Sequence, residues 1–131
     1  MIINPLVQEW LDKAEDDWRA AETLLREDVA YGAISFHSQQ VAEKFLKAYL
    51  TAQGKAFPRT HDLLELLAIG KSTDESLADY VDEASLLNPV YLDVRYPGGD
   101  PNVFDKKTAQ GSFSAAGTIR SAILDRLNRQ P

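Results

Sequence analysis

The spacing of apolar residues is the feature that most constrains how this chain folds. Through most of the sequence, apolar side chains recur every three or four residues, which is the period of an amphipathic α-helix. The clearest stripe consists of Val7, Trp10, Leu11, Ala14, Trp18, Ala21 and Leu25. It predicts a helix over about residues 6–27. Asp17 lies close to this stripe, and because an unpaired buried carboxylate is costly, we expect Asp17 to have a partner.

Helical periodicity continues along the rest of the chain. Four more segments show it, at about residues 31–53, 61–69, 72–87 and 106–129. Thr60 is expected to cap the third helix, and Ser72 with Glu75 has the capping-box spacing that starts the fourth. Asn88 and Pro89 indicate a stop and a new start, so a short turn or helix carries Tyr91 to Val94. The sequence therefore predicts an all-α fold, an antiparallel bundle of about five helices with two long N-terminal helices.

The size and residue usage fit one such domain over residues 1–131. The 131 residues are 44% hydrophobic and 26% charged, and they include no cysteine and two histidines. This usage excludes disulfides and thiol catalysis and argues against a metal centre, so no metal or cofactor is predicted. No apolar run approaches the roughly 20 residues that a membrane span needs, and no signal-peptide pattern is present. We therefore expect a cytoplasmic protein with no membrane partner.

The charge distribution is uneven along the chain. The net charge is −6, and residues 1–28 and 62–93 each carry 8 acidic side chains, against 3 and 1 basic ones. Residues 29–61 carry 1 acidic and 4 basic side chains, and residues 94–131 carry 3 and 6. A uniformly acidic surface would repel nucleic acid. The alternation is compatible with ordinary solvated helix faces or with a local anion site on an acidic body.

One row of polar side chains is predicted on the second helix. Its members recur at spacings of three, four and three: His37, Gln40, Lys44 and Lys47. They fall within an arc of about 80°, away from the apolar stripe of this helix. Such a row can hold phosphate oxygens or base edges. The alternative is an exposed polar face with one ion pair between Glu43 and Lys47.

Arg95 is the second candidate, in a loop rich in proline and glycine that follows the fourth helical segment. An arginine fork binds phosphate through two bonds, and loops on a rigid scaffold often carry function. Tyr96 can stack on a base. The alternative is a structural salt bridge from Arg95 to Asp17, Glu43 or Asp93.

Common catalytic motifs are absent from the sequence. Gly98 and Gly99 lack the lysine and helix start of a phosphate-binding loop, and neither a Gly-x-Ser-x-Gly nor a His-Glu-x-x-His pattern occurs. His61 follows Thr60 at a predicted helix start, where the simplest interpretation is a hydrogen-bonded structural histidine. Nothing in the spacing of His37 and His61 supports a shared metal.

Four segments together resemble the HEPN domain family, the small helical "higher eukaryotes and prokaryotes nucleotide-binding" domains. They are Trp10–Leu25, Phe36–Leu50, Thr60–Leu63 and Tyr91–Pro97. The resemblance covers nearly the whole chain. It implies a helical bundle that usually dimerises. It also implies a bacterial or archaeal protein, often beside a minimal nucleotidyltransferase in a toxin–antitoxin-like pair.

The resemblance also bears on activity. Many family members are metal-independent ribonucleases that use an arginine followed, after four to six residues, by a histidine. Arg95 matches that arginine, whereas Asp100, Pro101 and Asn102 stand where the histidine is expected. No histidine lies downstream of His61, so the usual group for proton transfer is missing. His37 is a possible substitute.

These observations lead to one main hypothesis and two alternatives. The main one is a homodimeric module that binds a nucleotide or RNA segment. Its predicted site residues are His37, Gln40, Lys44, Lys47, His61, Arg95 and Tyr96. The first alternative is a ribonuclease that uses Arg95 and a non-standard proton carrier. The second is a pure interaction module, whose surface would include Tyr31, Phe36, Leu46 and Leu50.

Overall fold

The computed structural model describes residues 4–129 and confirms the all-α bundle. Its α-helices are α1 (Pro5–Glu27), α2 (Tyr31–Ala52), α3 (Leu63–Gly70), α4 (Val81–Leu87), α5 (Val90–Arg95) and α6 (Lys106–Asn128). Two 3₁₀ helices, Glu75–Tyr80 and Pro101–Phe104, precede α4 and α6. No strand occurs within these residues. The two long N-terminal helices are as predicted, and α5 is the short segment that the sequence left open as a turn or a helix. Arg95, which was expected in the following loop, is the last residue of α5.

Helix α2 lies at the centre of the bundle. It packs against α1 and α6, and also against α3, α4, α5 and the 3₁₀ helix before α6. Because neighbours surround it, polar side chains of α2 are buried along with apolar ones, among them Glu43 and Lys47. The predicted polar row is therefore not one exposed face.

The main hydrophobic core joins side chains from α1, α2, α3, α4 and α6. Phe45 of this core is among the largest side chains that are fully buried, as is Ile34 of a smaller second cluster with Ala21 and Ala109. Each such side chain contributes roughly 1.5–3 kcal/mol through removal of apolar area from water. The predicted interaction surface is wrong in part, because Leu46 and Leu50 are buried within this core. The reason is again the enclosure of α2, which leaves few of its apolar side chains for a partner.

Two predicted helix starts are corrected by the structure. Asp62, rather than Thr60, caps α3, and its Oδ1 accepts from the Leu64 and Glu65 N–H groups at 3.0 and 3.3 Å. Thr60 instead accepts from the Asp62 N–H at 3.0 Å. A carboxylate at this position satisfies free N–H groups and also favours the positive end of the helix.

The second correction concerns the segment before α4. The 3₁₀ helix there begins after Asp74, whose carboxylate accepts from the Ser76 N–H at 3.0 Å, so the predicted capping box at Ser72 does not form.

Asn88 also departs from its predicted role as the cap of α5. Its Oδ1 accepts from the Leu63 N–H at 2.8 Å, and its Nδ2 donates to Asp62 Oδ1 at 3.0 Å. The side chain therefore ties the end of α4 to the start of α3, next to the segment that contains His61.

Two glycines of α6 lie in different surroundings. A Cβ added at Gly111 would meet nothing within 4 Å, whereas one added at Gly117 would lie 3.2 Å from the Trp18 ring. That ring is held in place, because it stacks on Phe113 with centroids 4.2 Å apart and lies beneath the Arg120 guanidinium.

We expect the two alanine variants to differ. Gly111→Ala should raise the free energy of unfolding by about 0.5–1 kcal/mol, because it removes backbone freedom from the unfolded chain without a clash. Gly117→Ala should raise the free energy of unfolding by less than this, or lower it, because the Trp18 ring must shift to make room for the new methyl group. Urea denaturation of both variants measures the difference, and an equal gain for both would contradict this packing.

Candidate functional site

Asp17 of α1 binds two side chains of the predicted polar row. His37 Nδ1 lies 2.8 Å from Asp17 Oδ1, and Lys44 Nζ donates to Oδ2. The partner expected for Asp17 is therefore present. Burial alone would raise the pKa of this carboxyl, but the hydrogen bonds and charges of His37 and Lys44 outweigh it and hold the pKa below its usual value.

Glu43 of α2 repeats this arrangement with the other histidine. His61 Nδ1 lies 2.8 Å from Glu43 Oε1, and Lys47 Nζ donates to Oε2 at 3.1 Å. The predicted ion pair between Glu43 and Lys47 is thus confirmed. Gln39 Nε2 donates to the His61 carbonyl at 3.2 Å and contacts Glu43, and Gln40 donates to Gln39 at 2.7 Å.

Both histidines therefore share one environment, a carboxylate whose second oxygen binds a lysine. An ionised carboxylate only accepts hydrogen bonds, so Nδ1 of each imidazole carries a proton and Nε2 is the acceptor in the neutral ring. The His61 side chain is 49% exposed. Its Nε2 has no hydrogen-bond partner in the part of the chain that the structure describes. His61 is consequently an oriented imidazole with a free acceptor nitrogen.

Tyr91 connects His61 to Arg95. The His61 ring stacks on Tyr91 with centroids 3.8 Å apart and an angle of 17° between the planes. The Arg95 guanidinium lies 5.0 Å from the centroid of the same ring and 6.0 Å from that of Phe36. We call these three residues the Arg95–Tyr91–His61 stack. It brings together two of the predicted site residues that come from different segments.

Arg95 is exposed and forms no ion pair with a carboxylate of residues 4–129. The predicted alternative, a structural salt bridge to Asp17, Glu43 or Asp93, does not form among these residues. The physical reason is plain for the first two, because lysine and histidine side chains already occupy Asp17 and Glu43.

The other predicted residues lie at different distances from the stack. Tyr96 follows Arg95, is 56% exposed and lines a cavity of about 420 Å³ with Arg95 and Phe104. His37 is reached through Phe36, whose ring centroid lies 5.9 Å from that of the imidazole. Gln40 is linked to His61 only through Gln39, and Lys44 and Lys47 have carboxylate partners.

Sequence reasoning missed Tyr91 and Phe36 as parts of this site. One signal for Tyr91 was present, because it precedes Arg95 by four residues and that spacing places two side chains on the same face of a helix. Phe36 carried no such signal, since only the packing of α5 against α2 brings its ring near Arg95.

A larger cavity lies elsewhere. It has a volume of about 660 Å³ and is lined by α6 together with Trp18 and Tyr80. Its arginines, Arg120 and Arg126, already bind Glu15 and Asp74, each at 2.8 Å. Cavity size therefore does not identify the site, and the smaller cavity of about 420 Å³ is the one lined by Arg95, which has no ion-pair partner among residues 4–129.

Two further properties concern residues 4–129 only. No cluster of three or more His, Asp or Glu side chains there is arranged to hold a metal ion. None of the helices in that range combines the length and the apolar character needed to cross a membrane.

The comparison with protein families settles which family this fold represents. The model of the HEPN domain matches residues 7–127. The chain belongs to the HEPN domain family. The resemblance inferred from the four sequence segments is thereby confirmed.

Solved structures support the HEPN fold over nearly the whole chain. TT1696 from Thermus thermophilus is 27% identical, with a TM-score of 0.82 over 91% of this chain and 96% of its own. ST0689, described as an archaeal HEPN homologue, is 27% identical, with a TM-score of 0.74 over 96% and 98%. An HEPN domain protein from Thermotoga maritima is 26% identical, with a TM-score of 0.75 over 93% and 99%. No curated protein matches the chain significantly.

The network around Asp17 predicts an acid-sensitive contribution to the stability of this HEPN domain. A pKa lowered in the folded state stabilises the fold above the unfolded pKa, and the effect is lost as the pH falls through the folded pKa. Asp17→Asn should lower the free energy of unfolding by about 1–3 kcal/mol at pH 7. In the variant, the free energy of unfolding should also decrease less steeply below about pH 4 than it does in the wild-type protein.

Denaturant titrations between pH 2 and pH 7 measure this effect. Asp16→Asn is the matched control, because Asp16 is exposed and has no ion-pair partner within residues 4–129. An Asp17→Asn profile that coincides with the wild-type or the control profile would exclude a stabilising role for this network.

Proposed function

We propose that this HEPN domain binds a nucleotide or an RNA segment at the Arg95–Tyr91–His61 stack. The observation that carries the proposal is Arg95, an exposed guanidinium held over an aromatic ring and without a carboxylate partner in the described residues. A guanidinium fork bonds two phosphate oxygens at once. Aromatic and guanidinium planes beside it offer stacking surfaces to a base.

The proposal gives the lysines a supporting role. Lys44 and Lys47 hold the carboxylates that orient His37 and His61, so their charges are balanced inside the protein. In this proposal, Arg95 is therefore the main residue that contacts the ligand directly, and His61 and Tyr96 contact it beside Arg95. Phosphate contact by the two lysines, as well as by His37 and Gln40, stays a prediction.

Removal of Arg95 provides the direct test. Arg95→Ala should weaken binding of labelled ATP or a short RNA by about 10- to 100-fold, because a charge-assisted hydrogen bond contributes about 1.5–3 kcal/mol. Arg19→Ala removes the same charge from an exposed position on α1 and should change the affinity less than threefold. Fluorescence anisotropy at several salt concentrations measures both. Equal affinity of wild type and Arg95→Ala, or no binding by wild type, refutes the proposal.

A metal-independent ribonuclease is the second candidate function, and the pairing of His61 with Glu43 favours it. His61 Nε2 would accept the proton of an RNA 2′-hydroxyl while that oxygen forms a bond to phosphorus. The bond from phosphorus to the 5′ oxygen then breaks, and this oxygen takes a proton from solvent. Arg95 would balance the charge on the phosphoryl oxygens. The products are a 2′,3′-cyclic phosphate and a 5′-hydroxyl.

Incubation of RNA with the protein in a metal chelator distinguishes the two functions. If the domain is a ribonuclease, His61→Gln and Arg95→Ala should each lower the cleavage rate at least 100-fold. His37→Gln is the matched control, because His37 has the same type of partner but does not stack on Tyr91. Analysis of 2′,3′-cyclic phosphate ends gives the readout. If the wild-type protein binds RNA but leaves it intact, the ribonuclease function is excluded and the binding function remains.

We further propose that the domain is a homodimer, as the family resemblance implies. Three exposed apolar side chains on neighbouring helices support a partner surface: Leu64 of α3 and Val81 and Leu86 of α4. Pairing with a minimal nucleotidyltransferase in a toxin–antitoxin-like system stays a prediction from the resemblance. A pure interaction module would use the same exposed side chains without ligand binding at Arg95.

A further inference from the structure

Two cavities lie at opposite ends of α5. The Phe104 cavity, about 420 Å³, is at the C-terminal end and is lined by Arg95, Tyr96 and Phe104 among others. The Leu92 cavity, about 290 Å³, is at the beginning of the helix and is lined by His61, Asp62, Asn88, Tyr91 and Leu92. Arg95 lines the first cavity, and its guanidinium lies over Tyr91, which lines the second. One cation therefore stands between two cavities.

The Phe104 cavity offers aromatic surface to a ligand. Phe104 and Tyr96 are 55% and 56% exposed. The Phe104 ring rests directly on the backbone of α2, because a Cβ added at Gly32 would lie 2.5 Å from the ring. One side of the ring is thus supported by the helix while much of the remainder faces solvent. A ring held in this way is suited to stacking with a base.

The Leu92 cavity fits a base better than it fits a phosphate. Leu92 is 60% exposed and, with the rings of Tyr91 and His61, supplies apolar surface. Asn88 is already occupied by its hydrogen bonds to Leu63 and Asp62. Asp62 uses Oδ1 in these contacts, and its Oδ2 has no partner among residues 4–129. A carboxylate oxygen there repels a phosphate and accepts an N–H, such as the exocyclic amine of a base.

The length of α5 decides how two bases can be arranged. Six residues of helix span about 9 Å. Neighbouring bases in a stacked strand are only about 3.4 Å apart. Bases in the two cavities are therefore not stacked on each other, and the phosphate that joins them lies near Arg95. A duplex keeps its bases stacked, so only a single strand can adopt this arrangement.

We propose, on the basis of the function proposed above, that the ligand is a single-stranded polynucleotide whose two neighbouring nucleotides are splayed across α5. One base stacks at Phe104 and Tyr96, and the other enters the cavity beside Leu92 and Asp62. Arg95 binds the phosphate between them. Arg95 is the one basic residue among those that line the Phe104 cavity, and Asp93 adds a negative charge there, so one phosphate is held.

Calorimetric titration with the dinucleotide ApA, its deoxy form and AMP tests this arrangement. ApA or d(ApA) should bind at least tenfold more tightly than AMP. Leu92→Ala and Phe104→Ala should each weaken ApA binding at least fivefold. Leu6→Ala, which truncates a leucine of α1 that is 54% exposed, is the matched control and should leave the affinity within twofold. For a short single-stranded RNA with several phosphates, one phosphate contact predicts that the logarithm of the affinity falls with the logarithm of salt concentration with a slope of about 0.7.

The outcomes separate this inference from the proposed function. Equal affinities for AMP and ApA, both lost in Arg95→Ala, would overturn the two-base arrangement and leave nucleotide binding intact. A salt slope of two or more, or a duplex RNA that binds as tightly as the matching single strand, would also overturn it. Absence of binding for every ligand, or binding that Arg95→Ala does not weaken, refutes the proposed function itself.

Discussion

Two carboxylates organise the polar part of this structure, one on α1 and the other on the central helix α2. Asp17 and Glu43 are largely withdrawn from water, and a lysine and a histidine bind each of them. Removal of one partner from a buried pair typically costs about 3–5 kcal/mol, so such networks constrain where their members lie. Here the constraint fixes the orientation of both histidines.

The orientation of His61 carries this constraint into the candidate site. Its ring supports Tyr91, and Tyr91 supports the Arg95 guanidinium. The loop after Arg95 is held against α5 in turn, because a Cβ added at Gly99 would lie 2.6 Å from Asp93 Cα. The exposed Arg95 guanidinium is therefore held by side chains that pack on one another, starting from Glu43 inside the bundle. Binding sites require side chains that are preorganised in this way.

The sequence was most informative where structure depends on local spacing. The stripe through Val7 and Ala21 predicted α1 to within a residue or so, and the expected partner for Asp17 was found. Sequence reasoning failed where several elements compete for one group. Thr60 and Asp62 can both cap a helix, and the structure shows that Asp62 caps α3. The hydrogen bond from Asn88 to Asp62, which joins the end of α4 to the start of α3, is visible only in the tertiary structure.

By itself, the sequence determined the helical class, the long helices, the family and the candidate status of His61 and Arg95, because periodicity and motif order are properties of the chain alone. The tertiary structure decided which polar groups are free. Lys44 looked available on an isolated helix, but Asp17 of α1 supplies its counter-charge. Lys47 pairs with Glu43 of its own helix, as the spacing predicted, and the elements around α2 bury this pair. Arg95 keeps its charge unpaired among residues 4–129: α5 holds it over Tyr91, and the carboxylates of Asp17 and Glu43 already bind lysine and histidine side chains. Burial, and pairing between different helices, depend on neighbours distant in sequence, and helical spacing carries no record of them.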